Sequence, residues 1–170
     1  MNDTMIQTER LILRPLCAED FEGLCVLDMD PQVRSYFPEG VLNRAEIQKE
    51  LDRYIREWDT LGFGLFAAIE KQSNKLIGRC GFAKLSTGEV EFGYLFLPAY
   101  WGQGIATEAG HALLAWAVKH IPVDRITGFA PVSHIASLRV LEKCGMKFVK
   151  MDKYQNIDCA FYTFDLIPPK

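Results

Sequence analysis

Between Thr87 and Pro131 the apolar pattern changes period twice. "TGEVEFGYLFL" alternates like a strand, "GIATEAGHALLAWAVKH" repeats like a long helix, and "RITGFAP" returns to a strand. A strand, a helix and a strand in that order call for a crossover, the connection that parallel strands need. The first half behaves differently. "GLFAAIEKQSNKLIGRCGFAKL" reads as two strands joined around "KQSNK", a polar turn of residues that bond their own backbone. Hairpins early and helical crossovers late predict an α/β (α+β) domain with a mixed sheet, antiparallel in one part and parallel in another.

The remaining segments fill in that plan. In "TERLILRPL" Leu11 and Leu13 alternate with Ile12 and Arg14, a first strand ending near Pro15. "AEDFEGLCVLDMD" places Phe21, Leu24, Cys25 and Leu27 on one helical face, with Asp20 as cap. "NRAEIQKELDRYIREWDTLG" is a longer amphipathic helix with Ile47, Leu51, Tyr54, Ile55 and Trp58 at helical spacing, stopped by Gly62. "SHIASLRVLEKCG" is a short helix with Ser133 as N-cap and Gly145 past its end. "MKFVKMDKY" and "CAFYTFDLI" are closing strands.

A chain of 170 residues is enough for one substantial core, and no repeat or linker composition divides it, so a single domain over residues 1–170 is expected. The net charge of -3 and the absence of any basic block argue against nucleic acid as a partner. "MNDTMIQTER" is polar and carries acids, unlike a signal or transit peptide, and no apolar run of about 18 residues exists to cross a membrane. Cys17, Cys25, Cys80, Cys144 and Cys159 are odd in number and form no CxxC pair. This favours reduced thiols in a cytoplasm over a disulfide frame or a metal site.

Three stretches carry candidate chemistry. In "WGQGIATEA" Gly102 and Gly104 stand where a strand hands over to a helix. The bland reading is a turn. The functional one is a phosphate cradle, because a helix start offers unpaired amides and glycine lets a ligand approach the backbone. "PVSHIASLRVLEKCGMKF" carries Ser137 in the first turns of a helix whose apolar face is Ile135, Leu138, Leu141 and Cys144. Taken alone it is an ordinary amphipathic helix. "GEVEFGY" places Glu89 and Glu91 two apart on a strand, where neighbouring carboxylates can raise one pKa into the range of a general base. Either glutamate could equally face solvent or pair with a neighbour such as Lys84.

Read together and in order, these stretches resemble the GNAT superfamily of acetyl-CoA-dependent N-acetyltransferases, and in particular its RimJ/RimL-type branch. "TERLILRPL" is similar to that branch's opening strand, and "KLIGRCGF" to its "G-x-liG-x-x-G" strand. "VEFGYLFLPAYWGQGIATEA" is similar to its "E-x-G-Y…P-x-y-W-G-x-G-x-a-t-E-a" segment, and "HIASLRVLEKCGM" to its "N-x-a-S-x-x-v-l-E-K-x-G-F" helix. The matches run from Thr8 to Met146.

The resemblance implies a GNAT-like sheet splayed between its fourth and fifth strands, with the pantetheine arm of acetyl-CoA bonded to the backbone around Leu95, Phe96 and Leu97. The pyrophosphate would meet the family's "Q/R-x-x-G-x-G/A" loop, which falls on Trp101, Gly102, Gln103, Gly104, Ile105 and Ala106, with Thr107 following. Trp101 departs from the general Gln or Arg and agrees with the RimJ/RimL-type form. His134 stands where the family usually carries Asn, as a cofactor contact through a ring nitrogen. Leu141 replaces the tyrosine that many relatives use to protonate the leaving thiolate, which leaves Ser137 as the alternative. The match to "E-x-G-Y" picks Glu91 as base.

The implied reaction is direct attack of a primary amine on the thioester in a ternary complex. The amine belongs to a protein N-terminus, as the branch suggests, or to a small molecule such as a polyamine, an amino acid derivative or an amino drug. No metal is implied. A domain that binds acyl-CoA without turnover, as a sensor or interaction module, is the alternative. Tyr36, Phe37 and Phe63 are candidate pocket walls or core residues. Phe148, Phe161, Tyr162 and Phe164 could support a homodimer or close the core of a monomer.

Overall fold

The structure, a computed structural model, describes residues 4–167, so the outermost residues of the single domain expected over 1–170 lie outside the described part. Eight strands form one sheet in the order β1-β2-β3-β4-β5-β6-β8-β7. They are β1 (Ile6–Gln7), β2 (Leu11–Pro15), β3 (Leu65–Glu70), β4 (Lys75–Lys84), β5 (Val90–Phe96), β6 (Arg125–Pro131), β7 (Lys147–Tyr154) and β8 (Ile157–Asp165). Four helices flank the sheet: α1 (Phe21–Asp28), α2 (Arg44–Leu61), α3 (Ile105–His120) and α4 (Ile135–Lys143). This is the mixed α/β architecture that the alternation of periods predicts.

The period-2 alternation sorts side chains onto the two faces of the sheet. Leu11 and Leu13 join one buried cluster with Phe66, Phe82, Phe92 and Leu113 of α3, while Ile12 packs against a second cluster. That second cluster holds Leu24 and Leu27 of α1, Ile47 and Leu51 of α2, and Leu65, Ala67 and Ile69 of β3. Because β3 is covered on both faces, its first five residues are all buried, as a central strand requires.

The neighbouring strands are antiparallel except β5 and β6, which run parallel and share one register pair, Glu91↔Thr127. By contrast, β4 and β5 pair continuously from Gly78↔Phe96 to Lys84↔Val90. The sheet is therefore open along most of the β5–β6 seam. With the short β1 hairpin strand counted, this seam lies between the fifth and sixth strands, the same gap that the resemblance puts between the fourth and fifth.

Local chemistry explains most of the helix ends. Asn43 caps α2 by accepting the Glu46 N–H at 2.9 Å, while Glu46 accepts the Asn43 N–H at 2.8 Å. Gly62 ends that helix in the left-handed region, φ 76°. Two expected caps are corrected. The Asp20 side chain does not cap α1. It accepts the Cys17 N–H at 2.9 Å and a two-pronged bond from Arg14, 2.8 Å on each prong, because a short 3-10 turn precedes the helix. Ser133 does not cap α4 either. His134 occupies the N-cap position, and its carbonyl receives the Ser137 and Leu138 amides.

Candidate active site

At the open seam the sheet lines a cavity of about 650 Å³, walled by the segment between α1 and α2, by β4 and β5, and by α4. Glu91 enters it from β5. Burial, the one cause acting on this carboxyl, pushes it up to about 7. The paired-carboxylate expectation is corrected here. Glu89 lies just before β5, exposed, and accepts the Thr127 hydroxyl at 3.1 Å and the Thr87 hydroxyl at 3.0 Å. Glu91 is raised by desolvation and not by a neighbouring charge.

Ser137 faces the same cavity from α4, and its Oγ lies 2.8 Å from the Tyr94 hydroxyl of β5. Burial pushes Tyr94 up to about 12. Sequence reasoning passed over Tyr94, although it closes the "E-x-G-Y" stretch. Leu141 is buried in the core beside this pair. Cys144 is core as well, its thiol pushed up to about 11 by burial, and all five cysteines are free.

His134 also lines the cavity, but its ring stacks face to face on Tyr36, with centroids 3.7 Å apart and planes 3° from parallel. Burial holds its pKa below the ordinary value. Tyr36 and Phe37 line the cavity, whereas Phe63 belongs to the core. The other histidines lie elsewhere. His111 is exposed, and His120 stacks on Trp116 with its Nδ1 2.7 Å from the Trp116 carbonyl. Among the described residues no group of His, Cys, Asp and Glu is arranged to hold a metal ion. No helix among them is long and apolar enough to cross a membrane.

The glycine loop lies at the end of the same strand. Gly102 and Gly104 are both left-handed, φ 70° and 78°, a conformation that disfavours a Cβ. Gly104 occupies the N-cap position of α3 and no side chain caps it, so the amides of Ile105, Ala106 and Thr107 precede the first in-helix donor, Glu108 N–H to Gly104 O. The Gln103 side chain turns back to donate to the Ala99 carbonyl at 2.7 Å, which leaves the loop's concave face to backbone groups.

A clamp from the N-terminal strands holds this loop. The Glu108 carboxylate accepts the Thr8 hydroxyl at 2.6 Å, the Arg10 amide at 2.8 Å and Arg10 Nε at 2.7 Å, while Arg10 Nη1 donates to the Gln103 carbonyl at 2.9 Å. Between the loop and Glu91, Leu95 pairs with β4 and the Leu97 amide, just past β5, reaches the Ile77 carbonyl at 2.9 Å, while the Phe96 carbonyl accepts the Trp101 indole N–H at 2.8 Å. The opposite edge faces the open seam, with Glu91↔Thr127 its one register pair. Uncapped amides at the loop, an open strand edge and a largely buried carboxyl, ordered along β5, fit acetyl-CoA laid along that strand.

Comparison with known proteins identifies the family and the fold. The family model described as "Acetyltransferase (GNAT) domain" matches residues 10–147. An "Uncharacterized N-acetyltransferase YnaD" from Bacillus subtilis is 29% identical over 143 residues, 84% of this chain and 82% of that protein. A GNAT-family acetyltransferase from Bacillus anthracis superposes with a TM-score of 0.81 at 28% identity, covering 96% of this chain and 99% of the other. RimL, described as a ribosomal L7/L12 alpha-N-protein acetyltransferase in complex with coenzyme A, shares the fold at a TM-score of 0.81 and 18% identity, over 95% and 98% of the two chains.

Proposed function

The chain belongs to the GNAT acetyltransferase family, and from there we propose that Glu91 and Ser137 carry the proton transfers of its reaction on a primary amine held in the cavity. The enzyme is an acetyl-CoA-dependent N-acetyltransferase, and acetyl-CoA supplies the activated acetyl group as cosubstrate. The observation that carries the assignment is a carboxyl pushed up to about 7 by burial at the vertex of the β5–β6 opening. A base poised there accepts a proton from an ammonium near neutral pH.

The ammonium first gives one proton to Glu91. The freed amine nitrogen bonds to the acetyl carbon, the carbon–sulfur bond breaks, the nitrogen's second proton leaves to solvent, and the departing sulfur takes a proton from the Ser137 hydroxyl. Tyr94, hydrogen-bonded to Ser137 at 2.8 Å, orients that hydroxyl and resupplies its proton, and solvent returns one to Tyr94 as Glu91 releases its own. The rest of the acceleration is alignment of two bound reactants. Leu95, Phe96 and Leu97 would hold the pantetheine arm by strand-like bonds. Gly102, Gln103, Gly104, Ile105, Ala106 and Thr107 would hold the pyrophosphate through backbone amides. His134, stacked on Tyr36, would close the far side of the arm.

The RimJ/RimL-type motifs support placement in that branch, and the thiol-rich, unpaired cysteine set supports a cytoplasmic setting. The acceptor amine sits on a small molecule or on a protein N-terminus. A purely acyl-CoA-sensing role would have no use for a desolvated carboxylate aimed at the acceptor space. The test is thiol release from acetyl-CoA with a panel of amines by the wild-type protein and Glu91→Gln. Amine-dependent release that falls about a hundredfold in the variant is expected. Undiminished turnover would remove Glu91 from the role.

A further inference from the structure

The floor of the cavity carries its own chemistry. Along one face of the sheet, β4 and β5 set three cross-strand pairs under the cavity: Arg79↔Leu95, Gly81↔Gly93 and Ala83↔Glu91. The middle pair has no side chains, so the floor between Arg79 and Glu91 is bare backbone. Four residue steps along β4 separate the two outer rungs, about 13 Å at strand spacing. The Glu91 carboxylate leans inward over this floor, its Oε1 3.7 Å from where a Cβ on Gly93 would lie.

At the other end two guanidiniums share one carboxylate. Arg79 Nη2 donates to Asp28 Oδ1 at 3.0 Å and its Nε to Oδ2 at 3.4 Å, while Arg34 Nη1 reaches the same Oδ1 at 3.4 Å. All three side chains are buried, with exposures of 7% for Arg34, 11% for Arg79 and 4% for Asp28. Arg34 spends its Nε on the Gly40 carbonyl at 2.9 Å and lies over the Phe37 ring, 4.1 Å from its centroid.

Several acids stand near this trio, and Glu39, Glu46 and Glu50 line the same cavity. Glu50 and Glu57 are both taken by Arg53, Glu46 serves the α2 cap, and Glu39 stands exposed. Burial first, with the charge of Arg79, holds Arg34 below its ordinary pKa against the opposing influence of Asp28, Glu39 and Tyr54, whereas Tyr54, Asp28 and Glu50 push Arg79 up despite its burial. Two buried guanidiniums that share one carboxylate leave N–H donors over for an incoming anion.

We propose that the acceptor is an amine that also carries an anionic group, a carboxylate in the first instance, which Arg79 and Arg34 bind while the amine nitrogen lies at Glu91. The proposal rests on the acetyl-transfer reading and names the substrate class for it. Guanidiniums suit this task because their planar donors meet a carboxylate two bonds at a time. The bare glycine floor lets a thin, flexible spacer lie flat between the two charged ends. A second ammonium in place of the carboxylate would be pressed against two buried cations.

The experiment compares acceptors that differ at one end only: 4-aminobutanoate, 6-aminohexanoate, 6-aminohexanamide and 1,6-diaminohexane. Wild-type enzyme is assayed for thiol release, and the coenzyme A-loaded protein for thermal shift with each compound. The better of the two carboxylates is expected to exceed both the amide and the diamine by about tenfold in kcat/KM, with the difference in KM. It should also be the one that raises the melting temperature. Arg79→Gln, checked for folding by its own melt, should bring the carboxylate and the amide to equal kcat/KM. Equal use of carboxylate and amide, or preference for the diamine, overturns the proposal and leaves the acetyl-transfer reading intact. Carboxylate-dependent thermal shift without thiol release from any amine does the reverse.

Discussion

The Ser137 hydroxyl and the Tyr94 hydroxyl face each other at 2.8 Å across the open seam, one from a helix and the other from a strand 43 residues earlier. Leu141 leaves α4 without a tyrosine to donate a proton, and this contact brings a phenol to the cavity from β5 instead. Tyr94→Phe keeps the ring packing and removes the partner. A drop in kcat of about tenfold, with the KM for acetyl-CoA unchanged, is expected in steady-state kinetics. Ser137→Ala should lower kcat further, and the double variant should fall no lower than Ser137→Ala alone, because both act on one proton.

Glu91 makes activity and stability depend on pH in opposite senses. As a base it works ionised, so kcat/KM should rise with pH through about 7 and level off above it. The folded carboxyl sits above the ordinary value of 4.5, so the unfolded chain ionises first and folding loses stability as pH rises from about 4.5 to about 7. Below 4.5 the protonated group costs nothing. Glu91→Gln should therefore flatten the rising limb of the activity profile. It should also melt higher than wild type at pH 8, by up to the order of 3 kcal/mol, with no difference at pH 4. Equal melting of the two proteins at pH 8 would contradict the desolvation account.

The clamp on the glycine loop has a separable effect. Arg10→Ala deletes the bond to the Gln103 carbonyl and one of the three bonds to Glu108. The loop then loses its tie to β2, and the KM for acetyl-CoA should rise severalfold while kcat at saturation holds. A thermal melt with and without coenzyme A checks the same point, since the cofactor-induced shift should shrink.

Gly104→Ala tests the loop from within. An added Cβ would approach Arg10 Nη2 at 3.6 Å, an ordinary contact, so crowding is not the issue. The cost is the left-handed backbone at φ 78°, on the order of 1 kcal/mol for a residue with a side chain. The expected outcome is a modest loss of stability with weaker coenzyme A binding, read by calorimetric titration.

How far the sequence reached depends on how local the determining interaction is. α2 was legible from its apolar spacing and Gly62, both signals within one segment, and the structure adds the Asn43 cap that sequence reasoning passed over. The hairpin of β3 and β4 was legible from its turn residues, and the glycine loop from motif order. Asp20 defeated the capping rule because Arg14, one strand earlier, competed for the same carboxylate. The Tyr94–Ser137 contact, the Tyr36–His134 stack and the sharing of Asp28 by Arg34 and Arg79 join distant segments, and no periodicity announces them. The partner of Glu91 was misjudged for a related reason. Spacing two along a strand puts two carboxylates on one face, but β5 begins only at Val90, and Glu89 is drawn off to Thr127.

The β5–β6 opening meets at one rung, Glu91↔Thr127, and widens toward Phe96. A wedge of this kind measures length. A linear molecule anchored at its phosphate end beside Gly104 and laid along the free edge of β5 runs out of edge at Glu91, so the number of strand residues between the two sets how long its arm must be. Inserting or deleting a pair of residues in β5 would preserve every facing side chain and still leave a chain of fixed reach short of the carboxylate, or past it.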